Sequence, residues 1–220
     1  MLYSKQKKWV FIHVPKNAGT SFKAMFTPCP YGDEISIEDK IANREQYKIK
    51  RLFLEKYDAE HNKWEFWKKS FKGFTPIAFL RNPWARALSV YTYILQHAQK
   101  NLLEEWGFLD HARLTREGFK KSWMEGGFFV DGHAAHLEKN QETFRNWSFA
   151  DQQASWLNGA GVWFRMEDQQ QEFSQFTGTP KLPNLNTSTK SNYRLYYDQE
   201  LIERIRTLFA EDVELGNYQF

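Results

Sequence analysis

Two short apolar runs, WVFIHV over residues 9–14 and TPIAFL over 75–80, each stop at a turn and give way at once to an amphipathic stretch. With His13 as the one strongly polar interruption, they have the composition of strands buried on both faces, as in a parallel sheet. Pro15 ends the first run, and Thr20 or Ser21 is then placed as N-cap of a helix that carries Phe22, Met25 and Phe26 at helical spacing and closes at Pro28. After the second run Asn82 is placed as N-cap, with Pro83 at the first helical position of RNPWARALSVYTYILQHA. A third run, GVWFRM over 161–166, precedes a helix through EDQQQEFSQFTG and a proline-punctuated loop, TPKLPNLNTSTKSNY. Strands that alternate with helices need crossover connections, so the expected class is α/β, with a central, mainly parallel sheet flanked by helices.

The intervening segments fill in that layout. Residues 31–73 are polar, charged and aromatic, and REQYKIKRLFLEKY and KWEFWKKSF read as two short amphipathic helices of a crossover. Residues 99–150 read as helices and loops that cover the acceptor side of a pocket. Asp198 caps a final helix whose Leu201, Ile202, Ile205, Leu208 and Phe209 form one apolar stripe. No repeat or low-complexity tract interrupts the chain. A length of 220 residues suits one core, so a single domain over 1–220 is expected. An aromatic content of 17% excludes a disordered chain.

The single cysteine, Cys29, has no internal disulfide partner, and no secretory leader precedes the first motif, which together read as cytoplasmic. Bacterial or viral cytosol is the favoured setting, with a trimmed lumenal domain as the other reading. No apolar run reaches the roughly 18 residues of a membrane span. Net charge is +3, but basic residues are in excess over the first hundred positions and acidic ones over the rest. That asymmetry suits an anionic ligand for the N-terminal half, or simply a solvated charged face.

The loop VPKNAGTS carries the first chemistry. A bend between a buried strand and a helix presents backbone N–H groups next to the positive helix end. Gly19 permits close approach, Lys16 adds a cation, and Thr20 and Ser21 add hydroxyl donors, a set that suits a nucleotide phosphate. A plain turn is the alternative. Walker A is not the pattern, because the lysine precedes the glycine, and no apolar strand ends in the Asp that would hold Mg²⁺ in a kinase or ATPase.

FIHVPKNAGTSF resembles the 5′-phosphosulfate loop of sulfotransferases that use 3′-phosphoadenosine 5′-phosphosulfate (PAPS), in particular the carbohydrate sulfotransferase branch. FLRNPWARALSVY resembles the 3′-phosphate motif of that family, and VWFRMED with LPNLNTSTKSNYRLYYDQELIERIRTLFAEDVELGNY is similar to its closing strand, nucleotide-side loop and last helix. The resemblance covers 9–26, 74–94 and 152–218. It implies a P-loop-like architecture and in-line transfer of a sulfuryl group from PAPS to a hydroxyl, most naturally of a carbohydrate or glycolipid, with PAP as product and no metal. It also implies that Lys16 contacts the 5′-phosphate and the transferring group, where its charge would offset what builds on the bridging oxygen. Asn17, Ala18, Gly19, Thr20 and Ser21 would supply donors. Arg81 and Ser89 would grip the 3′-phosphate, a task that suits a bidentate guanidinium. Arg165, Ser188 and Lys190 would lie near the nucleotide. Arg86 has two readings, a donor contact or a pairing with carboxylates on the helix surface.

The proton acceptor is less determined. His133 and His136, in DGHAAHLEKN, share a helix face and could overlie the pocket, form part of a metal site, or sit on the surface. His133 is ranked first as base. The resemblance also implies a histidine base between the two phosphate motifs in some relatives; His61 is the only candidate there and falls in a charged helix, and His13 reads as structural. Trp64, Trp67, Trp106, Trp123 and Trp147 read mainly as packing residues. Two rivals remain at this point, a nucleotide kinase and a non-enzymatic nucleotide- or RNA-binding module, the latter without an RRM-type signature.

Overall fold

Trp9–Phe11 and Thr75–Leu80 lie parallel at the centre of a five-stranded sheet, in a computed structural model that describes residues 1–26, 37–51, 61–97, 114–125, 151–182 and 192–220. The strands are β1 (Leu2–Ser4), β2 (Trp9–Phe11), β3 (Ile49–Arg51), β4 (Thr75–Leu80) and β5 (Val162–Arg165), in the order β3-β1-β2-β4-β5. The α-helices are α1 (Gly19–Ala24), α2 (Ile37–Gln46), α3 (Trp64–Trp67), α4 (Pro83–His97), α5 (Arg116–Met124), α6 (Gln170–Thr177), α7 (Gln199–Leu208) and α8 (Ala210–Gly216). The class is α/β, as expected. The three apolar runs supply β2, β4 and β5, which are parallel to one another, while β1 and β3 extend the sheet antiparallel beyond β2.

Chain contacts divide the described residues into two compact units. The first holds the sheet, with residues up to Arg81 and 153–182. Trp9 and Phe11 point to one face and Val10 to the other, and all three are buried. Phe22, fully buried on α1, meets Phe11, Phe26 and Phe173 with ring centroids 4.7, 5.4 and 5.1 Å away. Burying one such ring stabilises by about 1.5–3 kcal/mol, which is how a helix of a single turn and a half is held on the sheet. Phe173, from α6, also packs on Phe79 and Phe164, so the same cluster ties α1 to β4 and β5.

Several local expectations shift. Hydrogen bonding follows β4 only as far as the Ile12 N–H, which donates to the Ile77 carbonyl at 2.8 Å; the Val14 N–H then turns back on the Ile12 carbonyl. The strand therefore ends at Phe11 rather than Val14, because the chain must curl ahead of Pro15. α1 begins at Gly19 with Ala18 at its N-cap, in left-handed conformation and without a side-chain cap, in place of Thr20 or Ser21. The stretch that reads as a helix from residue 44 ends its helical part at Gln46; Lys48 adopts φ 52°, and Ile49–Arg51 forms edge strand β3 with Ile49 buried and Lys50 exposed. Burial of Ile49 against the sheet outweighs the helical spacing there.

The second unit contains α4, α5, α7 and α8 among the described residues. Asn82 Oδ1 accepts from the N–H groups of Trp84 (3.1 Å) and Ala85 (3.2 Å), and Asp198 Oδ1 accepts from Leu201 N–H at 2.9 Å, so both expected caps are made. Trp84, Tyr91, Phe119, Trp123, Leu201, Ile205 and Phe209 are buried together with the Tyr197 ring, whose hydroxyl donates to the Trp84 carbonyl at 2.8 Å. Phe209 leaves the α7 stripe to start α8. No helix among the described residues is long and apolar enough to cross a membrane.

Candidate active site

The first unit gathers a cluster of polar side chains where β2 and β4 end. Lys16 and Ala18 both adopt positive φ, 67° and 55°, so the VPKNAG loop is built from two left-handed residues that are not glycine. Each such conformation costs about 1–2 kcal/mol. Surrounding contacts hold them. Asn17, almost fully buried, donates from Nδ2 to the Phe79 carbonyl at 2.7 Å and to Gln153 Oε1. Arg81, the first residue past β4, donates from Nη1 to the Lys16 carbonyl at 3.0 Å. Two motifs sixty-five residues apart are thus joined directly.

Lys16 is half-buried, and burial, with a further contribution from the Arg81 guanidinium, lowers its pKa to about 8. Two cations held close together, one of them partly desolvated, make a place where an anion is favourable. α1 has only six residues, so its dipole adds little to that field. Ser21 is buried, while Thr20 is partly exposed at the loop mouth.

The close approach that Gly19 permits in this structure is that of a histidine. A Cβ at Gly19 would lie 1.8 Å from His13 Cδ2 and 2.0 Å from His13 Nε2. His13 is itself buried; desolvation first, then the ring of His61 and nearby cations including Lys16, hold its pKa well below the usual histidine value, so it stays neutral. The His61 ring stands 4.2 Å from the His13 ring, and its Nδ1 donates to the His13 carbonyl at 3.2 Å. A carbonyl can only accept, so the neutral His61 ring carries its proton on Nδ1 and its lone pair on Nε2. His61 precedes α3, and it joins the Lys16 loop through tertiary contact that a linear reading does not reveal.

Arg165, at the end of β5, is in a fork-to-fork ion pair with Asp168, with Nε to Oδ1 at 2.9 Å. Ser89 is buried on α4 of the second unit. Arg86, in that unit, is buried: it donates to the Asp151 carbonyl at 3.0 Å and lies 5.6 Å from the Phe209 ring centroid. The surface-pairing reading of Arg86 is therefore corrected. Trp64, Trp67 and Trp123 are buried packing residues. His133, His136, Ser188, Lys190, Cys29, Trp106 and Trp147 lie outside the described residues, as does most of 99–150, within which α5 supplies a helix. Among the described residues no group of three or more His, Cys, Asp or Glu is placed to hold a metal ion. Gln153 was not foreseen at all; nothing in its local sequence marks it.

A family model described as the sulfotransferase family matches residues 1–219. No curated protein and no solved structure matches the chain.

Proposed function

Because this chain belongs to the sulfotransferase family and is a sulfuryl transferase, we propose that it takes the sulfuryl group from PAPS and passes it to a hydroxyl of a carbohydrate or glycolipid. The observation that carries the donor assignment is the pair of cations Lys16, in the bend between β2 and α1, and Arg81, just past β4, joined through the Lys16 carbonyl and with Lys16 depressed to about 8. An anion beside them offsets the cost of charging a desolvated Lys16 and its repulsion by Arg81. Sulfuryl transfer sets the chain apart from the kinase and from the RNA-binding module.

In this reading PAPS supplies the sulfuryl group and leaves as PAP. Lys16, with the N–H groups and hydroxyls of 17–21, binds the 5′-phosphate side and stabilises the charge released on it, while Arg81 binds the 3′-phosphate, with Ser89, Arg165, Ser188 and Lys190 retained from the motif resemblance. The acceptor oxygen forms the new S–O bond as the bond to the phosphate oxygen breaks, and the acceptor's proton needs a base. His61 is the first choice for that role here: its Nδ1 donates to the His13 carbonyl, so in the neutral form of the ring the lone pair that could accept a proton lies on Nε2. His133, first in the sequence ranking, is the alternative base. The carbohydrate acceptor is supported by the motif resemblance, and the cytoplasmic setting by the lone Cys29.

The test is turnover. With PAPS and a panel of oligosaccharides, glycolipids, phenols and tyrosine peptides, PAP release that depends on a sugar acceptor is expected. Release only with phenols or peptides would overturn the acceptor class, and none with any acceptor, alongside phosphoryl transfer from ATP, would overturn the donor.

A further inference from the structure

Gln153 is completely buried, at the start of a 3-10 turn over Gln153–Trp156, and its amide meets both halves of the site. The β4–β5 ladder runs to the pairing of Leu80 with Arg165, so Arg81 lies just beyond it. There the side chain of Gln153 takes the place of a strand. Its Oε1 accepts from the Arg81 N–H at 2.9 Å, and its Nε2 donates to the Arg81 carbonyl at 2.9 Å. The same Oε1 accepts from Asn17 Nδ2, inside the Lys16 loop. The orientation of the amide is determined, because the flipped form would set donor against donor at Arg81 N and at Asn17. One side chain therefore holds the main chain of Arg81 in both directions and the loop beside Lys16, and Arg81 in turn donates to the Lys16 carbonyl.

We propose that Gln153 is a positioning residue of the donor site: its amide sets the separation of the Lys16 loop from Arg81 and so makes binding depend on a nucleotide that carries both a 5′- and a 3′-phosphate. The inference rests on the donor reading above. A residue that merely filled the core would be replaceable by any side chain of equal volume. Gln153 is not, because each of its polar atoms answers a buried group that the ladder leaves over.

Two variants test it. Gln153→Met keeps the volume and removes every hydrogen bond. Gln153→Glu keeps the shape, and while its buried carboxyl is neutral it still accepts with one oxygen and donates with the other; once ionised it cannot donate to the Arg81 carbonyl. Calorimetric affinities for PAP and for adenosine 5′-phosphate, measured on native and variant chains from about pH 5.5 to about pH 8.5, give the preference for the 3′-phosphate at each pH. Gln153→Met is expected to lose about tenfold or more of that preference. Gln153→Glu is expected to keep it at the acid end and lose it as pH rises, beyond any drift in the native chain. A structural role alone would lower the melting temperature without making the preference titrate. Native preference in Gln153→Met, or in Gln153→Glu at every pH, would overturn the proposal. If Gln153→Met does not fold, the Gln153→Glu series decides alone. A native chain without preference for PAP would instead overturn the donor reading on which the inference stands.

Discussion

The Arg81 guanidinium donates from Nη1 to the main-chain oxygen of Lys16 across 3.0 Å, so the arginine that follows β4 is bonded to the loop that follows β2. That contact puts a second positive charge beside Lys16 and joins with burial in lowering its pKa to about 8. The cluster thus brings two cations together where β2 and β4 end.

Lys16→Met is expected to separate function from stability. Loss of the cation should lower sulfuryl transfer by about 10²-fold or more, the scale for removing one preorganised charge from a transition state. Thermal stability should not fall, since the substitution removes a cation that folding partly desolvates. Activity assays with melting curves check both halves, and an inactive variant that is also strongly destabilised would count against the assignment.

The pH dependence follows from the sign of the Lys16 shift. Its folded pKa, about 8, lies below the ordinary lysine value of 10.5, so between the two the unfolded chain binds more protons and this group's contribution to stability rises with pH. Anion affinity moves the opposite way. Below about 8 Lys16 is charged, and above it PAP binding should weaken by up to about tenfold per pH unit, with proton uptake on binding. Calorimetry in buffers of different ionisation enthalpy measures that uptake; equal heats across buffers at pH 8 would refute it.

Gly19→Ala should disrupt the loop through His13. The added methyl would lie 1.8 Å from His13 Cδ2 against rings packed on a rigid sheet, a cost of about 1–3 kcal/mol for overpacking. Combining it with His13→Ala opens the space, so the double variant should be more stable than the sum of the single losses. Chemical denaturation of the four chains measures the coupling, and strict additivity would mean that the ring and the glycine do not constrain one another.

If His61 is the proposed base, His61→Asn should lower turnover while leaving PAP affinity unchanged, because a base acts in proton transfer and not in phosphate binding. Loss of a general base costs about 10²–10⁴-fold. Single-turnover rates set beside calorimetric affinities make the distinction. Should His61→Asn keep its rate and His133→Asn lose it, the base is His133.

What could be read from the sequence was local. β4 spans the apolar run TPIAFL, and Asn82 and Asp198 cap the helices that their positions anticipate, because a strand's composition and a cap are set by neighbours a few residues away. β3 was misread as helix because Ile49 is fixed by pairing with β1, in a register that helical spacing cannot register. The cations Lys16 and Arg81 were visible as motif residues, but their mutual contact was not. The contacts of His61, itself noted between the two phosphate motifs, and of Gln153 were hidden for the same physical reason: His61 lies forty-eight residues from the carbonyl that anchors it, and Gln153 reaches Arg81 across seventy-two and Asn17 across one hundred and thirty-six. Side chains whose partners are that remote carry no periodicity and no motif.

The central claim, that Lys16 and Arg81 together form a donor site selective for a 3′,5′-bisphosphorylated adenosine, is tested most directly by calorimetric titration of PAP, ADP and ATP into the native chain and into Arg81→Ala. The expected result is tight PAP binding by the native chain, weaker binding of ADP and ATP, and loss of the PAP preference in Arg81→Ala. Equal affinity for PAP and ADP in the native chain, unchanged by Arg81→Ala, would contradict it.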